Sequence, residues 1–375
     1  VLGVGLPLLL CIAEGLALRY KNPSWMRLAR QWSKAFAIVF AIGAVSGAIV
    51  EFEIALLWPT FASFMGSIIG LAFAMEGFAF FTEGIFLGLY LYGWDRLSPR
   101  AHWLCSFPLW ISGGASAWFI MTANSWMNSP AGFTMRNGGV TKVNPWAAIF
   151  NPATPFEATH MILACYVAVG FAVAAIYAVA YLRGHRTDYN RKGLLLGMAL
   201  ASVAIPLQVV SGDFNARFLE QAQPIKYAAM EGLLHSGRGE PLYILGIPDP
   251  NTGQVIGAIQ IPHGESLLAH FNLNSYSVGL DAFPRSDWPG IAVVHLSFDA
   301  MVGAGLFMLL VAAVFWFLYW RRQRVLPDRT WLLWGISASG VLGFLAVEFG
   351  WLVTEEGRQP WIIYGLSLIH ISEPT

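Results

Sequence analysis

Eight stretches of this chain are apolar for long enough to carry a helix across the hydrocarbon layer of a bilayer, which takes about 20 residues. They fall at 1–18 (cut short), 35–58, 66–93, 103–123, 160–182, 193–211, 291–320 and 330–354. Such a segment must satisfy its own backbone N–H and C=O groups, and a helix does so. The expected fold is therefore all-α, a polytopic bundle of membrane helices. Composition agrees: 56% of the 375 residues are hydrophobic and only 12% charged, against about 25% charged in soluble chains. The net charge of zero gives no electrostatic reason to expect a nucleic-acid partner. Cys11, Cys105 and Cys165 all lie in apolar runs, without the spacing of a metal site or a disulfide framework.

The connections sort by charge. "RYKNPSWMRLARQWSK" carries Arg19, Lys21, Arg27, Arg30 and Lys34, whereas "PTFASFMGS" carries no charge. "WDRLSPR", "YLRGHRTDYNRK" and "RRQRVLPDR" are again basic. The positive-inside rule places these four basic loops in the cytoplasm. Residues 124–159 and 212–290 then lie outside, and the second is too long to be a passive connector. The chain divides into helices one to six (1–211), an extracytoplasmic loop (212–290), and helices seven and eight with their outer end (291–365). It begins inside an apolar run, and "SLIHISEPT" (367–375) fits nothing before it. The expectation is a piece of a longer protein with a foreign tail over 366–375, His370 included.

Ionisable residues within the spans are costly and mark sites. Glu76 and Glu83, in "MEGFAFFTEGIFLG", are two helical turns apart and share a face, about 10 Å from each other. With Asp95 and Arg96 at the inner mouth they read as a proton path from the cytoplasm. His160 opens the fifth span at its outer end; His295, Asp299 and Met301 open the seventh at the same depth. A histidine with a methionine or a second histidine is an axial pair for a low-spin haem, and spacing leaves both His295 and Met301 open. Glu51 and Glu53 lie near the outer end of the second span and could pair with arginines. In "WLVTEEGRQPW", Glu355 shares a helix face with Trp351, and Glu348 lies a turn further in. A carboxylate there could pair with Arg358, bind a metal centre or relay protons.

Six motifs occur in order: "MEGFAFFTEGIFLG" (75–88), "GWDR" (93–96), "ANSWMNSPAGF" (123–133), "QPIKYAAMEG" (223–232), "FDAMV" (298–302) and "GRQPW" (357–361). On them the chain resembles subunit I of the cytochrome bd quinol oxidases, up to about residue 365, with the loop length of the short form. The resemblance implies a prokaryotic cytoplasmic membrane, electrons taken from ubiquinol or menaquinol, and oxygen reduced to water without a pumping element. It implies two haem b groups and a haem d, a homologous subunit II, surrounding lipid, and room for a small accessory subunit. By it His160 and Met301 match the low-spin haem b ligands, and Glu355 a ligand of one high-spin haem. Trp351 would stack on a haem edge, and Arg358 would pair with Glu356 or hold a propionate. Glu76 and Glu83 match the proton path, and Lys226 and Glu231 the quinol loop. It also implies a histidine ligand before Val1 and a ninth span after "GRQPW". A secondary transporter with a carboxylate relay is the rival class, and a haem-anchoring, non-catalytic membrane subunit a third. The transporter predicts internal repeats that the spans do not show, and the anchor would not need Glu76 and Glu83.

Overall fold

The structure, a computed structural model, describes residues 1–136 and 139–368, so residues 369–375 of the expected foreign tail lie outside the described residues. The helices are α1 (Leu2–Tyr20), α2 (Pro23–Leu57), α3 (Pro59–Tyr92), α4 (Pro99–Leu104), α5 (Ser106–Asn128), α6 (Pro145–Ile149), α7 (Thr154–Leu182), α8 (Asp188–Ala222), α9 (Pro224–Glu231), α10 (Gly264–His270), α11 (Ile291–Arg321) and α12 (Thr330–Glu356). Among the described residues eight helical segments are long and apolar enough to cross a membrane, with α4 and α5 counting as one. The eight expected spans are all present.

The sequence punctuates these helices. Proline stands in the first turn of α2, α3, α4, α6, α7 and α9, where its missing N–H would have had no helical partner. The Asn22, Ser98, Asn144 and Thr187 side chains accept backbone N–H bonds at the starts of α2, α4, α6 and α8, as N-caps do.

Two boundaries differ most from the hydropathy expectation. The basic stretch before the second span is itself helical, because it buries Leu28, Ala29, Trp32 and Phe36 along one face of α2. The sixth span does not stop at 211. Its outer turns are polar yet helical, tied by an Arg217–Asp213 pair at 2.9 Å and by Arg217 Nη1 donating to the Ala269 carbonyl at 2.6 Å. The outer loop therefore starts at Gln223.

Small residues hold α7 at the centre. A Cβ on Gly170 would come 2.6 Å from the Ala201 nitrogen of α8, and one on Gly197 of α8 would come 2.6 Å from the Ala174 nitrogen of α7. Gly340 and Gly343 of α12 approach Ala175 and Ala168 of α7 as closely. Close backbone approach is how helices associate in lipid, where apolar burial offers little drive. The outer connection folds down onto the bundle. Short antiparallel strand pairs join 242–244 to 259–261 and 247–249 to 254–256. Beneath them Tyr227 and Met230 of α9, with Leu233 just after it, join one apolar cluster with Leu219, Val294 and Val353 at the ends of α8, α11 and α12.

Candidate functional site

Asn128, the last residue of α5, is the hub of a buried polar cluster. Its Nδ2 donates to Glu157 of α7 at 2.9 Å and to Asn124 at 3.0 Å. Its Oδ1 accepts from Lys226 Nζ of α9 at 2.9 Å and from Arg358 Nη1 at 3.3 Å. Its backbone carbonyl accepts from Gln223. Asn124 Nδ2 and Arg358 Nη2 each donate to one oxygen of Glu355, both at 2.6 Å. Two cations thus face two carboxylates, as buried charges require. Burial pulls the Lys226 ammonium below its ordinary range, with Glu157 opposing. Arg358 is also pulled down by burial, with Glu355 and Glu157 opposing.

The cluster is nearly dry but not closed. Lys226 and Arg358 are 2% and 3% exposed, whereas the Glu355 side chain is 45% exposed. Arg358 Nε, Glu157 Oε2 and Gln223 Oε1 are buried without a protein partner. A free guanidinium N–H beside an oriented, accessible carboxylate suits a metal-centred group that carries its own acidic arms. Trp351 lies one turn before Glu355 and is half-buried; Glu348 is exposed. Glu356 turns away, its Oε2 lying 3.5 Å from where a Cβ on Gly290 would be, at the start of α11.

His160 of α7 faces α8. Its Nδ1 lies 2.9 Å from Ser211 Oγ, which itself donates to the Gln208 carbonyl. The Ser211 oxygen must then accept, so the ring proton sits on Nδ1 and Nε2 keeps its lone pair. Gln208 Nε2 caps that lone pair at 2.9 Å. A ring held this way fits a metal ligand, whose other nitrogen is normally fixed by a hydrogen bond. Met301 faces α12, its Sδ 3.2 Å from a Cβ built on Gly350. The structure thus gives the two expected axial ligands different neighbours. His295 is bonded through one ring nitrogen only, its Nε2 being buried without a hydrogen-bond partner. It is fully buried, Nδ1 donates to the Met230 carbonyl at 2.8 Å, and Nε2 lies 3.6 Å from Asp299.

Lys226 and Glu231, expected together at the quinol loop, part company. They are five residues apart on α9, well round the helix from each other. Lys226 turns into the Asn128 cluster. Burial, then the carboxylates of Glu265 and Asp299, push Glu231 up to about 8. Ser116 Oγ of α5 donates to Glu76 of α3 at 2.9 Å. Glu83 is 4% exposed and its Oε1 has no partner. That oxygen sits in a cradle formed by two glycines: a Cβ on Gly113 would come within 2.9 Å of it, and one on Gly3 within 3.7 Å. Asp95 is open to solvent, 3.8 Å from Arg30; Arg96, Glu51 and Glu53 are exposed.

Sequence reasoning passed over several residues. Asn124 and Asn128 stood inside a quoted motif without a role, and Glu157 stood unremarked just before His160. Glu14 and His102, buried and 2.6 Å apart, carried the same signal as Glu76, an ionisable group within a span.

The fold defines a class: a helical membrane protein of eight candidate spans, with ionisable side chains buried among them. The description "Cytochrome bd terminal oxidase subunit I" matches residues 1–373, and the chain belongs to that family. It is similar to the solved bd oxidase from Geobacillus thermodenitrificans, with 36% identity and a TM-score of 0.92 over 100% of this chain and 86% of that one. It is 36% identical over 373 residues to a provisionally named cytochrome bd menaquinol oxidase subunit I of Bacillus subtilis (strain 168), covering 97% of this chain and 83% of that protein. The cytochrome bd ubiquinol oxidase subunit 1 of the same organism is 32% identical over 376 residues, covering 97% and 80%. The chain is therefore a multi-span subunit of a respiratory quinol oxidase. Family membership decides against the transporter and the non-catalytic anchor.

Proposed function

We propose that the chain divides quinol oxidation and oxygen reduction between two sets of its own groups. Glu231, in the loop over α11, takes the quinol protons. Glu76 and Glu83 on α3 supply protons for water from the opposite side. The basic loops place that side in the cytoplasm, so charge separates without a pump. His160 and Met301 would hold a low-spin haem b, and Glu355 would hold one high-spin haem of a second haem b and haem d pair. When bound, these groups accept the quinol electrons and reduce oxygen to water. Arg358 and Lys226 would neutralise the acidic arms of such a group, and Trp351 would pack beside it. As a subunit I the chain works with a second subunit, in lipid of the bacterial inner membrane. The relatives' names divide between menaquinol and ubiquinol, and the chemistry of the loop suits either.

The observation that carries this reading is Glu355, its two oxygens bonded by Asn124 and Arg358, beside an unpartnered buried Arg358 Nε. A pyridine haemochrome assay on the purified complex, with extraction of its quinone, tests it. Haem b and haem d bands with a co-purified quinone are expected; a preparation without haem bands overturns the reading.

Glu231 makes a pH prediction. Held up to about 8, it is protonated at neutral pH, and it accepts the quinol proton only once it has lost its own. The quinol oxidation rate should rise as pH passes through about 8. Glu231→Gln should abolish that limb and slow the quinol rate by roughly 10²-fold, while an artificial one-electron donor still supports oxygen consumption. Equal loss with both donors would remove Glu231 from the quinol site.

The proton path makes another. Glu83→Gln keeps the shape of the side chain but carries no proton through the cradle at Gly113. Oxygen consumption should fall by about 10-fold or more, and Glu76→Gln should behave likewise, with quinol affinity unchanged. Parental turnover in both variants would rule out the path.

A further inference from the structure

Two buried ionisable residues remain without a task, Glu14 of α1 and His102 of α4. Both lie beside basic loops that the charge pattern assigns to the cytoplasm, Glu14 just before Arg19 and His102 just after Arg100. Glu14 is 1% exposed and His102 2%. Glu14 Oε1 lies 2.6 Å from His102 Nδ1, and Glu14 Oε2 accepts from the Tyr90 hydroxyl at 2.7 Å. The other ring nitrogen, Nε2, lies 2.8 Å from the Tyr90 backbone carbonyl. A carbonyl only accepts, so Nε2 must carry a hydrogen. One proton is then left to share between Nδ1 and Oε1. It sits on the ring, giving imidazolium and carboxylate, or on Glu14, giving two neutral groups.

Position matters as much as chemistry. Tyr90 follows Glu83 by seven residues, and Glu83 follows Glu76 by seven. Two helical turns separate each pair, so the three side chains lie along one face of α3 at steps of about 10 Å. The Glu14–His102 pair is attached to the last of them. Towards water the pair is covered by Trp94, whose ring centroid is 4.0 Å from that of His102. Arg30 of α2 lies over the Trp94 ring, 4.9 Å from its centroid, and lies 3.8 Å from Asp95. The Cys11 thiol, on α1, and the Cys105 thiol beside α4 are the remaining titratable neighbours. A buried ion pair adds little net stability over an apolar pair of the same volume, so packing alone gives no reason for these two residue types.

We propose that Glu14 and His102 form the proton-loading site of the α3 track, taking up a proton from the cytoplasm and releasing it toward Glu83. Loading adds one proton to the pair, so that imidazolium and carboxylic acid coexist. Release of the Glu14 proton past the Tyr90 hydroxyl restores the one-proton state. The inference rests on the reading of Glu76 and Glu83 as a proton path.

The test uses the intact complex with haem content measured first. Glu14→Gln, His102→Gln and Tyr90→Phe are compared with Glu83→Gln, with oxygen consumption driven by excess donor across the pH range. His102→Gln and Glu14→Gln should keep their haem spectra and slow turnover about 10-fold. The slowing should deepen as pH rises, because bulk protons become scarce where the loading site is missing. Tyr90→Phe should give the same trend more weakly. A merely structural pair would leave the shape of the pH profile unchanged. If Glu83→Gln slows turnover while Glu14→Gln and His102→Gln keep the parental profile, the loading site is wrong and the track stands. If Glu83→Gln is also parental, the track itself falls. Should both pair variants lose haem, Tyr90→Phe, which leaves the pair in place, decides by its pH profile alone.

Discussion

Replacing Glu355 by alanine should strip or strongly perturb one high-spin haem and lower oxygen reduction on the order of 10²-fold or more, while the low-spin haem stays reducible by quinol. Glu355 ends α12 with both oxygens bonded, by Asn124 and Arg358, and with nearly half its side chain open. A carboxylate so oriented can donate to a metal without moving. Glu356 is the internal control. Adjacent residues on a helix diverge by about 100°, and Glu356 points to Gly290 instead of into the cluster. Glu356→Gln should therefore leave haem content and turnover near parental. Asn124→Ala, which frees one oxygen of Glu355 but leaves Arg358 in place, should fall between, at about 10-fold in haem retention or activity. Reduced-minus-oxidised spectra and haem extraction read all three. Haem loss in Glu356→Gln with normal haem in Glu355→Ala would show the reading rotated by one residue.

The second large effect belongs to His160 and Met301. His160→Ala or Met301→Leu should remove or convert the low-spin spectrum and reduce quinol oxidation to background, a loss on the order of 10³-fold. The support for His160 is its tautomer. Ser211 fixes the ring proton on Nδ1, so a lone pair stands at Nε2 behind Gln208. His295→Ala should keep the low-spin bands, because the family resemblance matches Met301 and not His295 to that haem; its ring, bonded to the carbonyl of Met230, stabilises the seat of α9. It should weaken the loop and slow quinol oxidation, with the haem spectrum intact. Retention of the low-spin bands in both His160→Ala and Met301→Leu would remove the pair as ligands, and their loss in His295→Ala would identify the true one.

Several residues show how far local sequence reaches. Glu76 and Glu83 were legible because a carboxylate in an apolar run is rare, and a seven-residue step aligns them on any helix. Glu355 was separable from Glu356 for the same reason, since helix phase follows from counting. Lys226 and Glu231 were legible as charges in a long loop but not as partners. Their spacing permits a shared site, and only the docking of α9 sends one into the Asn128 cluster and the other toward Glu265. Glu14 and His102 carried a local signal too, but neither means much until α1, α3 and α4 bring them to 2.6 Å.

The sequence by itself determined the eight membrane spans found among the described residues and the carboxylate face of α3. Each depends on hydrophobic length or helical phase, which act within one element. Tertiary structure alone decided which groups meet. Asn124 reaches Glu355 across 231 positions of chain, and Lys226 reaches Asn128 across 98. Those meetings depend on how closely the glycines of α7, α8 and α12 let the helices approach, and on the outer loop folding back over their ends. Both are set by packing between distant segments, which no local pattern encodes.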